Sequence, residues 1–205
     1  MKRRKDETSY RETAFGIISR KKLIPLEIEG IKRAWDFVLK KRRTGLIPFT
    51  PDFLQKAHWV GFGWIFPEIC GKWRTVDVTV SDHKPPAYFT MPQLMKDFTE
   101  DLKVRLRHLP NLSHPEFLQN LTELLAWAHH RFLWIHPFTD YNGRMGRLLL
   151  SMIMLNLNLP PIELKTETKS GRQKYVKALQ DADHGNDQAL QKLILDAIKE
   201  AAREL

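Results

Sequence analysis

SHPEFLQNLTELLAWAHHRFLWIHPFTDYNGRMGRLLLSMIMLNL, residues 113–157, decides the fold of this 205-residue chain. Phe117, Leu118, Leu121, Leu124, Leu125, Ala128, Phe132 and Ile135 repeat at helical spacing, so a helix runs up to His136. Ser113 can cap its start, with Glu116 three residues on. Pro137 should end it, because proline inside a helix removes a donor and clashes with the preceding turn. A second apolar helix is expected from about Gly143 to Leu157. Two such helices, separated by one short polar loop, form the centre of a mainly helical fold.

Working outward, Pro25 opens an expected helix over 26–42, and Thr50-Pro51 is an N-cap followed by proline at the first helical position. KWRTVDVTV (72–80) alternates and is β-branched, which predicts a strand; SDHKPPAYF (81–89) then turns back to make a short hairpin or flap. Thr90 with Gln93 starts a helix over 91–107, and further helices are expected near 171–182 and 188–204. Residues 1–20 read as a polar, poorly anchored extension, and 21–205 as one compact helical domain carrying a short β-hairpin flap.

The apolar fraction of 42% marks a globular chain, not a disordered one. Its net charge of +9 suits nucleotides, nucleic acids or acidic proteins as partners. Cys70 is the single cysteine, which excludes an internal disulfide framework and a cysteine-based zinc site. The charged start lacks the apolar stretch of a signal peptide, and the longest apolar run (148–162) is too short and too polar to span a bilayer. A cytoplasmic setting, its own or that of a recipient cell, is the expectation, with no membrane partner. No helix-turn-helix signature supports a nucleic-acid partner, and the basic runs MKRRK and KKRR read as solvated ends.

The loop HPFTDYNGRMGR (136–147) carries the chemistry. Its second half forms a helix N-terminus, whose unpaired N–H groups and positive dipole attract anions. Arg144 and Arg147 lie three apart at the end of the helix where cations are disfavoured, an arrangement that makes sense if they clamp a polyphosphate. Asp140 offers a hard oxygen, and one carboxylate plus phosphate oxygens is the usual way to hold Mg²⁺. His136 is the titratable group suited to act as a base near neutral pH. Base, metal ligand, amide donors and arginine pair together describe transfer of a phosphate-containing group to a hydroxyl. His129 and His130 complete no zinc spacing, and the tryptophans read as packing residues.

The loop resembles the signature of the Fic (Fic/Doc) family, HPFx[DE]GN[GK]RxxR. His136, Pro137, Phe138, Asp140, Asn142, Gly143, Arg144 and Arg147 match, and Tyr141 departs from it. Residues 53–78 are similar to the family's upstream segment, and RQKYVKALQDADHGND (172–187) resembles its downstream YxxALxxADxGD segment. The resemblance implies a compact helical fold and transfer of AMP from ATP to a Ser, Thr or Tyr hydroxyl of a target protein. It implies His136 as base, Mg²⁺ on Asp140, and ATP phosphates on Tyr141, Asn142, Gly143, Arg144 and Arg147. Phe138 would anchor the loop. Ser81, Asp82, His83 and Lys84 would belong to a flap that pairs with the target's backbone. Toxin-like members depend on a separate antitoxin-like inhibitory protein, and others inhibit themselves through a glutamate on the second motif arginine. Glu29, followed by Gly30, is the regulatory candidate, although Pro25 stands where that inhibitory motif has Ser or Thr.

Tyr141 opens alternatives. Glycine at this point permits positive φ and close approach to a phosphate, whereas a tyrosine there is strained by about 1 kcal/mol. The ring could turn outward from an ordinary nest. It could reshape the site for another nucleotide, for phosphate or for phosphocholine. Or it could weaken nucleotide binding and leave a partner-binding regulatory scaffold.

Overall fold

A computed structural model describes residues 9–80, 83–166 and 168–203. Two strands, β1 (Tyr10–Thr13) and β2 (Gly16–Ser19), precede seven helices: α1 (Arg20–Arg43), α2 (Pro51–Phe62), α3 (Met91–Arg107), α4 (Phe117–Ile135), α5 (Asn142–Asn156), α6 (Lys169–Asp183) and α7 (Gln188–Arg203). α4 lies at the centre, packing on α3, α5, α6 and α7, and its face of Leu121, Leu125, Ala128, Phe132 and Ile135 is fully or almost fully buried. That central helix ends at His136, as Pro137 demands. Among the described residues no helix is long and apolar enough to cross a membrane.

The β structure is not where the alternation placed it. Among the described residues, 72–80 contributes only the bridge Val80–His83; Val76 is exposed and no neighbouring strand pairs with it. The hairpin lies instead at β1–β2, antiparallel with Tyr10 opposite Ser19, inside the segment expected to be poorly anchored. Gly16 turns it at φ 82°, which glycine adopts freely. Ala14 N donates to Ile65 O, and Phe15 packs edge-on against Trp64, so the hairpin is docked on the end of α2.

α1 begins at Arg20, earlier than Pro25 suggested. Pro25 sits near the N-terminal end, where its missing N–H removes one helical bond. Leu23, Glu27, Gly30, Ala34 and Val38 form the buried stripe of α1. Gly30 is required by packing: a Cβ there would meet Gly61 O at 2.6 Å, so α1 and α2 cross backbone to backbone. Thr50 caps α2 by accepting from Phe53 N. Thr90 and Ser113 do not cap by side chain; Thr90 Oγ1 donates to Ala87 O, and Glu116 occupies the position before α4.

Candidate active site

The loop between α4 and α5 is held in shape by its own residues. His136 (φ 52°) and Tyr141 (φ 64°) are both left-handed, which reverses the chain twice and aims the start of α5 back past the end of α4. Asn142 closes the loop with two bonds, Phe138 N to Oδ1 at 2.9 Å and Nδ2 to Phe138 O at 2.7 Å. Its side chain, expected on a phosphate, is therefore occupied by the loop itself. Phe138 is fully buried and stacks on His58 at 3.9 Å. His58 in turn accepts from Gly71 N on Nδ1 and donates from Nε2 to Asp140 O. Burial lowers the His58 pKa to about 4, so this bridge stays neutral.

Arg74, almost fully buried, ties the loop to the flap segment. Its Nε donates to His136 O at 2.9 Å, its Nη1 to Val76 O and its Nη2 to Pro86 O, while its backbone N donates to Pro137 O. Within 72–80 this guanidinium takes one carbonyl, that of Val76, and its other bonds join the segment to Pro86 and His136. Of the expected flap residues, His83 donates from Nε2 to Trp134 O, Lys84 is exposed, and Ser81 and Asp82 lie outside the described residues.

His136 Nδ1 faces Leu133 O at 3.3 Å. With the proton on Nδ1, the Nε2 lone pair is left as the basic atom. Burial lowers the His136 pKa; the Leu133 carbonyl opposes this, and the charges of Arg74 and His83 add to it. The imidazole is thereby kept neutral and available as a base.

His136, Gly143, Arg144 and Arg147 line one cavity of about 530 Å³, closed on its far side by Tyr175 and Leu179 of α6. The amides that open α5 lack intrahelical carbonyl partners, and this end of the helix carries the positive dipole. Tyr175 Oη lies 2.7 Å from His129 Nε2, and burial pushes its pKa up to about 12, with Arg147 opposing. A second cavity of equal volume, with Trp35, Leu148 and Leu164 in its wall, backs onto the other side of Arg144 and Arg147. It does not contain His136, so of the two cavities the first is the one that His136 shares with the arginines, and Asp140 lines neither.

Two carboxylates meet arginines at the loop. Asp140 Oδ1 accepts from Tyr141 N at 2.7 Å, and Oδ2 pairs with Arg11 of β1 at 2.5 Å. No group of three or more His, Cys, Asp or Glu side chains forms a metal cage among the described residues. Asp140, partly exposed and offering hard oxygen, fits Mg²⁺ completed by phosphate oxygens and water, with Arg11 as its partner otherwise. Glu27, 2% exposed, receives Arg20 and the Tyr141 hydroxyl on Oε1 and Arg144 on Oε2 at 2.8 Å. Burial pushes the Glu27 carboxyl up, but Arg144 and Arg20 outweigh it and hold it below its usual range.

Two expectations change here. Glu29 is exposed and pairs with Arg33, one turn along α1; it does not reach the motif arginines. Gly30 follows it because of the α1–α2 crossing, and Glu27, about half a turn away, is the acid that faces the loop. Tyr141 neither lines the cavity that His136 shares with the arginines nor turns outward. Its ring is 6% exposed and stacks on Phe62 at 4.0 Å with 9° between planes. Glu27 and Arg11 were not singled out in the sequence, and His58 and Arg74 entered only within the 53–78 segment that resembles the family. Glu27 had a signal, a lone acid on the apolar stripe of α1; Arg11 had none.

The fold and site define a class: a helical domain with a neutral histidine and an arginine-bearing helix start on one loop. Residues 48–154 match the family model described as Fic/DOC family. The chain is 30% identical over 175 residues to a protein adenylyltransferase Fic of Nematostella vectensis, and 30% over 170 residues to one of Drosophila virilis. These matches cover 85% and 83% of this chain but only 38% and 32% of those relatives. Fic-1 from C. elegans superposes with a TM-score of 0.67 at 26% identity, covering 86% of this chain and 49% of that one. BepC of Bartonella tribocorum, solved with bound AMPPNP, shares the fold at a TM-score of 0.67 and 21% identity over 95% and 94% of the two chains. The chain belongs to the Fic/DOC family.

Proposed function

We propose that this chain is a protein adenylyltransferase that moves AMP from ATP to a hydroxyl of a target protein. One observation carries the reading: His136 and the start of α5, with Gly143, Arg144 and Arg147, line one cavity. The relatives named protein adenylyltransferase Fic support the same reaction. In it, His136 Nε2 takes the proton of a Ser, Thr or Tyr hydroxyl. The hydroxyl oxygen attacks the α-phosphorus, and the bond to the bridging oxygen breaks, releasing pyrophosphate. Arg144, Arg147 and the first amides of α5 would carry the charge that develops on the leaving group. Asp140 would hold Mg²⁺, which supplies further charge neutralisation on the phosphates. The segment around His83 and Lys84 would receive the target's backbone. A neutral His136 matches the requirement for a base at neutral pH.

The test incubates the chain with α-labelled or γ-labelled nucleotides, Mg²⁺ and cell lysate, beside His136→Ala. Transfer of the α label from ATP, lost in His136→Ala, is the expected result. Transfer of the γ label, or of another nucleotide's label, would replace the donor. Absence of any His136-dependent label would end the enzyme reading.

A further inference from the structure

Tyr141 stands where the family signature has glycine, and its hydroxyl ends on a carboxylate outside that signature. We infer that Tyr141 and Glu27 are positioning residues that hold the Arg144 guanidinium at the phosphate end of the cavity. This deepens the nucleotide-transfer reading and rests on it.

Glu27 touches Arg144 directly, through Oε2 and Nη2. Its other oxygen is fixed by Tyr141 Oη at 3.0 Å and Arg20 Nη1 at 2.7 Å. Tyr141 also meets Arg144 by itself: the guanidinium carbon lies 5.0 Å from the centre of its ring, within the range of a cation–π contact. The ring is kept in place by Phe62, which stacks on it, and the guanidinium lies beside that stacked pair, 5.9 Å from the centre of the Phe62 ring. Two contacts from different elements thus fix the guanidinium before any ligand arrives. A free arginine side chain loses rotamer freedom when immobilised, so an arginine already fixed binds an anion at lower cost. Glycine at position 141 would supply neither contact.

The guanidinium is fixed with one edge unused. Arg144 Nη1 is buried and has no hydrogen-bond partner among the described residues. A buried donor without an acceptor is costly, and buried polar groups are almost always paired. Here the side chain that carries the orphan lines both cavities; Nη2 faces the brace, while Nη1 is shut from solvent in the free protein and takes an acceptor only once an incoming anion uncovers it. A glutamate that inhibited by occupying the arginine would make the opposite prediction, since its removal would free the anion site.

The experiment is a calorimetric titration of the full chain carrying His136→Ala, which prevents turnover, with Mg-ATP and separately with inorganic tripolyphosphate. Tyr141→Phe keeps the ring, the stacking and the backbone conformation and removes only the hydroxyl; it should weaken binding of both ligands about 3- to 10-fold, the size of one lost hydrogen bond. Glu27→Gln should weaken it about tenfold or more, because a charge-assisted contact is lost. In an Arg144→Ala background neither substitution should have any further effect, a non-additivity that general loosening of the fold would not produce. Unchanged or tighter binding in Tyr141→Phe and Glu27→Gln, or effects that persist without Arg144, would overturn the brace while leaving the nucleotide reading standing. A parent protein that binds neither ATP nor tripolyphosphate would overturn both.

Discussion

Replacing Tyr141 by the family's glycine should cost this protein most of its stability margin instead of restoring a better phosphate nest. The ring is 6% exposed and lies flat on Phe62, with His58 and Phe66 at its edges. Deleting a buried aromatic side chain costs about 3–5 kcal/mol in transfer and cavity terms. Losing the hydroxyl's bond to an ionised acceptor adds about 1.5 kcal/mol. Relief of the left-handed backbone returns about 1 kcal/mol, offset in part by glycine's greater freedom in the unfolded chain. The net expectation is a loss of about 4 kcal/mol, equivalent to a fall in Tm of about 8–16 °C for a chain of this size. Urea unfolding followed by tryptophan fluorescence at pH 7.5 measures it, with Tyr141→Phe alongside, which should lose only about 1–2 kcal/mol. If Tyr141→Gly were as stable as the parent, the ring would not be a core residue, and the account of the 136–147 loop given above would fail.

Because burial lowers the pKa of His136 in the free protein, the acid limb of kcat/KM for transfer should have its midpoint below 6.5; a kcat/KM profile with a midpoint above 6.5 contradicts the neutral-base assignment. His136→Ala should reduce kcat by about 10²- to 10⁴-fold with little change in thermal stability, read by labelled transfer and calorimetry. His58 and His129 both have folded pKa values near 4 against an unfolded value near 6.5. Their stabilisation is present above pH 6.5 and lost as pH falls towards 4, by up to about 1.4 kcal/mol per pH unit for each, visible as a falling urea midpoint; His129→Gln should flatten that slope. Arg11→Ala should lower the Mg²⁺ concentration needed for half-maximal nucleotide binding by no more than about fivefold, since a part-exposed ion pair contributes about 0–1 kcal/mol; a change of a hundredfold would mean that the hairpin does far more than pair a carboxylate.

The helical core was legible because its signal is local. Leu121 to Ile135 repeat at helical spacing, and Pro137 can only stop them. The residues of the loop were legible because base, carboxylate and arginines are adjacent in sequence. What the sequence hid is long-range. Arg11 meets Asp140 across 129 positions, and Glu27 meets Arg144 across 117. No spacing rule reaches that far. The strand expected at 72–80 shows the same limit: alternation is necessary for a strand but a partner is not implied by it, and here the Arg74 guanidinium took the Val76 carbonyl. Tyr141 misled because glycine's role was judged by backbone freedom alone. The backbone does adopt the left-handed conformation, and the buried ring with its hydrogen bond supplies what offsets the strain.

The two carboxylate–arginine pairs at the loop look alike as contacts, yet physical chemistry assigns them opposite fates when a polyphosphate binds. The Arg11–Asp140 side chains are 39% and 36% exposed, so water and salt already compete with the pair and separating it is cheap. In Glu27–Arg144 the carboxylate side chain is 2% exposed, and withdrawing the arginine would leave a buried charge short of one partner, a change that costs about 3–5 kcal/mol when such pairs are broken. On the proposed function, a ligand would exchange with the first pair and build on the second. Asp140 would pass from Arg11 to a metal–phosphate complex at little expense, while Arg144 would keep Glu27 on Nη2 as it met the phosphate. The hairpin and the brace are thus different kinds of element: one a partner the site can release, the other part of the scaffold from which the site acts.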